Sequence, residues 1–121
     1  GLIPILPPLG LDSGSGLSLN IDGDRLAASA AKAVDADILV ILSNVPGLMK
    51  DINDPGSLIK SRTSEGSWEK LEEYAVGNMK RKLLACREAF DLGVPNIHLA
   101  DGRVSEPLKN AERGNGTCLT L

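Results

Sequence analysis

Three consecutive cations, Lys80, Arg81 and Lys82, follow Gly77-Asn78-Met79 where an apolar helical pattern begins. A helix N-terminus already carries partial positive charge from its unpaired N–H groups, so added cations are unfavourable there unless something negative sits opposite. A bound anion such as phosphate resolves the conflict; a solvated basic turn, its side chains bent into water, is the alternative. Two further stretches carry usable chemistry. Asn20-Ile21-Asp22-Gly23-Asp24 sets one amide and two carboxylates within five positions, just ahead of a second helical pattern. Capping accounts for one of these carboxylates but hardly for all three polar groups. Ser43-Asn44-Val45-Pro46-Gly47-Leu48 follows an unbroken apolar run and reads either as a ligand loop or as an ordinary Pro-Gly turn. A carboxylate such as Asp24 meeting an ammonium such as Lys82 could serve phosphoryl transfer, which needs positioning and electrostatic stabilisation but no nucleophilic residue. The chain has no Walker-type glycine loop, no zinc spacing and no nucleophile elbow, and no metal site is expected. Gly102-Arg103-Val104 reads as a plain turn, and the single His98, inside a strand pattern, as structural.

For these groups to meet, the elements must bring them to one edge. Leu2 to Leu9 reads as a strand confined to an edge by Pro4, Pro7 and Pro8, closing a hairpin with Leu17 to Ile21 through Asp12-Ser13-Gly14-Ser15-Gly16. Arg25 to Val34 carries one apolar stripe, Leu26, Ala27, Ala30, Ala31 and Val34, with Asp24 at the N-cap position. Ile38-Leu39-Val40-Ile41-Leu42 lacks alternation and reads as a strand buried on both faces. Asp51 to Ser67, with Asp54-Pro55-Gly56 and Glu65-Gly66, reads as loop with at most a short strand near Leu58 and Ile59. Helices follow over Trp68 to Val76 and Met79 to Leu92, the second stopped by Gly93. Pro95 to Ala100 reads as a strand, Glu106 to Arg113 as a helix and Thr117 to Leu121 as a last strand. Such alternation predicts an α/β fold, a three-layer α/β/α sandwich with a mainly parallel sheet. In open sheets of this kind ligands bind at the carboxyl ends of the strands, which is where the loops singled out above begin.

The 121 residues suit one domain, with 42% hydrophobic residues for a core. A net charge of -3 and 2% aromatic residues argue against nucleic acid as a partner. No stretch reaches the roughly 18 to 20 apolar residues of a membrane span and no signal peptide is evident, so no membrane partner and a cytoplasmic location are expected. Cys86 and Cys118 are too few for a disulfide scaffold and read as buried thiols. Gly1-Leu2-Ile3 opens without Met straight into apolar sequence, which reads as the interior of a longer protein.

The Asn20 to Asp24 pattern, Leu42 to Met49, Gly77 to Leu84 and the Gly-Thr at Gly116 and Thr117 together resemble the C-terminal half of an amino acid kinase, the superfamily that includes acetylglutamate kinase. The Asp-Gly variant at Asp22-Gly23 and the run Met79-Lys80-Arg81-Lys82-Leu83-Leu84 are more similar to the kinases acting on glutamate or 2-aminoadipate attached to a small amino-group carrier protein. The resemblance implies that residues 1–121 form a single nucleotide-binding domain, with ATP and Mg2+ as cosubstrate. It implies that Asn20 and Asp22 serve the substrate, Asp24 orients the catalytic lysines and Lys82 stabilises the transferring phosphoryl group. Ser43, Asn44, Val45, Gly47, Leu48 and Met49, with Tyr74 and Val76, would contact the nucleotide. Lys80 and Arg81 would meet the acidic carrier protein. The full-length protein is expected to be a homo-oligomer acting in lysine or arginine biosynthesis; N-acetylglutamate kinase and a non-catalytic nucleotide-binding module are the alternatives. The family's Lys-x-Gly-Gly strand and early glycine-rich loop are absent from this chain, so it is expected not to turn over alone.

Overall fold

The computed structural model describes residues 1–63 and 68–120. The expected Glu65-Gly66 turn and the last residue of the final strand lie outside them. Two short strands, β1 (Leu9–Leu11) and β2 (Ser18–Asn20), form an antiparallel hairpin with Leu9 opposite Asn20. The strand expected from Leu2 therefore begins only at Leu9, because Pro4, Pro7 and Pro8 have no N–H to give a ladder. Leu2, Ile3 and Ile5 ahead of it are almost fully exposed.

Helix α1 (Gly23–Ala33) leads into β3 (Leu39–Ser43), and a single 3-10 turn at Pro55–Ser57 precedes β4 (Ser61–Thr63). Helices α2 (Trp68–Tyr74) and α3 (Asn78–Asp91) are followed by β5 (Asn96–Asp101), α4 (Pro107–Glu112) and β6 (Thr117–Thr120). The four longer-range strands make one sheet in the order β3-β5-β6-β4. β3 runs parallel to β5 and β4 parallel to β6, whereas β5 and β6 are antiparallel. The sheet is thus mainly parallel, as expected, with one reversal at its centre.

Alternation along β5 divides the two faces. Ile97 and Leu99 point into the core with Ala28 and Ala31 of α1 and Leu83, Ala85, Cys86 and Ala89 of α3. His98 points the other way, its Nδ1 donating to the Ala111 carbonyl of α4 at 3.0 Å, a structural role as expected. Helices therefore cover both faces, giving the three layers. Small residues on α1 and α3 let the two helices approach closely. Trp68 of α2 packs edge-on against Phe90 of α3, with ring centroids 5.5 Å apart.

Strand β4 lies a little beyond the short strand expected near Leu58 and Ile59. Leu58 makes only an isolated antiparallel bridge to Met49. At the start of β6, a side chain on Gly116 would sit 2.3 Å from the Leu99 carbonyl oxygen, so only glycine fits there.

Candidate functional site

Helix α1 begins earlier than expected. Asp22, in extended backbone conformation, is the N-cap, and its Oδ1 accepts the N–H groups of Asp24 and Arg25 at 3.1 Å each. The expectation of Asp24 as cap is corrected. Two aspartates two residues apart compete for the role, and the upstream one reaches both amides of the first turn. Asp24 is thereby released for tertiary contact.

That contact is Lys82. Its Nζ lies 3.0 and 3.1 Å from the two carboxylate oxygens of Asp24, and both side chains are largely screened from solvent. The pair joins α1 to α3 across 58 residues of sequence. Beside it, Arg25 clasps Glu88 with Nε at 2.8 Å and Nη2 at 2.7 Å, a two-point bridge between the same helices. Cys86, one turn beyond Lys82 and fully buried, has its thiol pushed up to about 12, chiefly by burial and further by the nearby Asp24 carboxylate. It is a packing residue with no reactive thiolate at neutral pH.

Lys82 opens into a cavity of about 480 Å³. Ser43, Asn44, Val45, Gly47 and Met49 from the loop after β3 line one side, and Tyr74, Val76, Gly77, Asn78 and Met79 at the α2–α3 junction line the other. Gly77, with its positive φ of 56°, turns the chain three residues after α2 ends and immediately before α3 starts. No side chain caps α3; the Met79 and Lys80 amides of its first turn donate instead to the Val76 and Gly77 carbonyls at 3.1 and 3.2 Å. Ile52 completes the wall.

Of the eight residues expected at the nucleotide, seven line this cavity. Leu48 does not: it is fully buried in the core, and its N–H donates to Thr117 Oγ1 at 2.9 Å. Ile52, Gly77, Asn78 and Met79 line the cavity without having been assigned to it, although the last three adjoin the basic run. Asn20 is exposed at the end of β2, two residues before the cap. Lys80 and Arg81 are exposed and enter no ion pair among the described residues.

The α4 side of the sheet differs. A cavity of about 310 Å³ there is lined by Pro46, Leu58, Asp101, Asn110 and Gly116 among others. Arg103 donates to Asp101 through Nε at 2.9 Å, Nη2 at 2.7 Å and its backbone N–H at 2.9 Å, holding the Asp101 carboxyl at about 2. Gly102-Arg103-Val104 is thus a turn, as read from the sequence.

No group of three His, Cys, Asp or Glu side chains converges to hold a metal, and no helix is long and apolar enough to cross a membrane, among the described residues. Cys86 and Cys118 are free thiols.

Comparison with known proteins points the same way. The LysW-aminoadipate kinase of Deinococcus radiodurans is 39% identical over 120 residues, covering 99% of this chain and 40% of that protein. The acetylglutamate kinase of Methanobrevibacter smithii is 40% identical over 108 residues, covering 88% of this chain and 36% of that protein. The chain thus spans about two fifths of the length of these relatives. Among solved structures, N-acetylglutamate synthase from Neisseria gonorrhoeae, complexed with coenzyme A and N-acetyl-glutamate, superposes with a TM-score of 0.79 at 26% identity, over 95% of this chain and 27% of that one. The profile of the amino acid kinase family matches residues 1–101, and with the α/β/α fold and the Asp24–Lys82 pair at the cavity mouth, the chain belongs to that family.

Proposed function

We propose that this chain is the ATP-binding portion of a kinase that phosphorylates the side-chain carboxylate of 2-aminoadipate or glutamate carried on a small acidic amino-group carrier protein. The observation that carries this reading is the half-buried Asp24–Lys82 pair at the mouth of the 480 Å³ cavity. The cavity's apolar walls, Val45, Met49, Ile52, Val76 and Met79 with the Tyr74 ring, suit a flat base, and its cationic end suits phosphates. The nucleotide supplies the phosphoryl group to be transferred. Lys82 offsets the negative charge that spreads over the transferring group, and Asp24, gripping the ammonium with both oxygens, fixes where that charge sits. With no three-ligand cluster among the described residues, Mg2+ would be held mainly by the phosphates, as this ion usually is.

Asn20 and Asp22 are assigned to the acyl acceptor, and Lys80 and Arg81, exposed on α3, to the acidic carrier. A homo-oligomer, a role in lysine or arginine biosynthesis and a cytoplasmic setting compatible with free thiols complete the proposal. A second reading, phosphorylation of free N-acetylglutamate, is favoured by the 40% identity to an acetylglutamate kinase.

The test is ATP-dependent phosphorylation by the full-length protein, offered N-acetylglutamate and carrier-linked glutamate or aminoadipate side by side. Activity on the carrier-linked compounds alone is expected. Activity on N-acetylglutamate alone would favour the second reading, and none on either would remove both. Truncating Arg81 is expected to reduce use of carrier-linked substrate and its salt dependence while sparing ATP binding. The chain of residues 1–121 alone is expected to give no turnover, and detectable product from it would contradict that.

A further inference from the structure

Thr117 is fully buried, the only fully buried polar residue among those described, and its hydroxyl is used twice. Oγ1 donates to the Ile59 carbonyl at 2.6 Å and accepts the Leu48 N–H at 2.9 Å. Ile59 N–H in turn donates to the Leu48 carbonyl at 2.9 Å, so Leu48, Ile59 and Thr117 close a ring of hydrogen bonds joining three chain segments. Gly47 packs directly on the ring: a side chain there would sit 2.7 Å from Thr117 Oγ1 and 2.9 Å from Thr117 N. The residues on either side of Leu48, Gly47 and Met49, line the 480 Å³ cavity, while Leu48 itself does not.

We propose that Thr117 is a positioning residue for nucleotide binding, its hydroxyl fixing Leu48 and hence the height at which Gly47 and Met49 form the cavity wall. The inference rests on the nucleotide reading above. The physical basis is that a loop backbone group has few ways to be satisfied once buried, and a hydroxyl that both donates and accepts locks two such groups at one distance. Removing it leaves the Leu48 N–H and the Ile59 carbonyl competing for other partners, and the loop between β3 and the 3-10 turn loses its anchor to the sheet. Nothing about Thr117 touches the cavity directly, so its effect on a ligand must pass through the loop.

The variants are Thr117→Val, which keeps the shape and removes the hydroxyl, and Thr117→Ser, which keeps the hydroxyl. In the full-length protein, T117V is expected to raise the dissociation constant for ADP and the KM for ATP about tenfold, with kcat and the KM of the acyl acceptor within about twofold. T117S is expected to restore ATP use. A lower melting temperature with nucleotide affinity unchanged, or a T117S protein as impaired as T117V, would overturn the positioning role while leaving the nucleotide reading intact. Wild-type protein that binds no adenine nucleotide would overturn both. Hydrogen exchange on the wild type gives a reading that needs no variant: the Leu48 amide is expected to be protected before nucleotide is added. Free exchange of that amide in nucleotide-free protein would equally defeat the proposal.

Discussion

Each of two cavities is lined by one member of a carboxylate–cation pair, and the two pairs are built in opposite ways. Asp101 and Arg103 are two residues apart on one turn, with the Arg103 side chain 63% exposed and that of Asp101 15%. Asp24 and Lys82 are 58 residues apart on different helices, with side chains 25% and 19% exposed. The first pair satisfies itself locally and needs little of the fold. The second exists only if α1 and α3 pack in register, and it faces a cavity large enough for a ligand. An ion pair that the fold must work to assemble, beside a cavity, is the one the proposed chemistry draws on.

The sharpest way to break this contrast is to remove each cation in turn. On the proposed function, Lys82→Met is expected to lower kcat of the full-length protein by about 10²- to 10³-fold, the usual cost of deleting one preorganised charge stabiliser. Arg103→Met is expected to stay within about twofold, and equal losses in a steady-state assay would erase the distinction. Asp24→Asn, which keeps the shape but loosens the grip on Lys82, should fall between the two, at about 10- to 100-fold. Next in size, Tyr74→Ala is expected to weaken ATP binding about tenfold by calorimetry, since an aromatic wall is worth about 1 to 3 kcal/mol to a base. An unchanged affinity would remove Tyr74 from the site.

The smallest effects are read by pH. Cys86 has an ordinary thiol value of 9.0 and a folded one of about 12, so below pH 9 the thiol is protonated whether folded or not. Between those values the unfolded chain loses the proton and the folded chain keeps it, so stability falls as pH rises through that window. Cys86→Ala should flatten the alkaline limb of a denaturation series, and an unaltered limb would assign the loss to other groups. On the α4 side the sign is reversed. The contribution of Asp101 is complete above its ordinary 3.8 and is lost as pH falls toward about 2, and Arg103→Ala should blunt that acid limb only slightly because the Arg103 side of the pair is exposed.

Much of the 480 Å³ cavity could be read from the sequence because its signals are local. The apolar run Ile38 to Leu42, the Pro-Gly loop after it and the basic run after Gly77 each carry their meaning within a few residues. What escaped was set by distance. Asp22 and Asp24 look alike ahead of one apolar stripe, and only the position of Lys82 distinguishes cap from ion-pair partner. Leu48 sits among site residues, yet its neighbour Thr117, 69 residues on, draws it into the core. β4, Ser61-Arg62-Thr63, has no apolar residue to announce it and is held by backbone pairing to β6. The reversal of β6 is equally silent, since an apolar pattern carries no strand direction.

The reversal also orders the folding of the chain in time. β5, α4 and β6 are consecutive, and the His98–Ala111 contact within this unit closes a loop of only 13 residues. Pairing of that kind nucleates early, whereas a contact spanning 58 residues, as Asp24–Lys82 does, must wait for slower loop closure. Stopped-flow traces should therefore show substitutions at His98 slowing folding and substitutions at Asp24 speeding unfolding. By this clock the Asp24–Lys82 pair is among the last contacts to form on the way in and among the first to go on the way out.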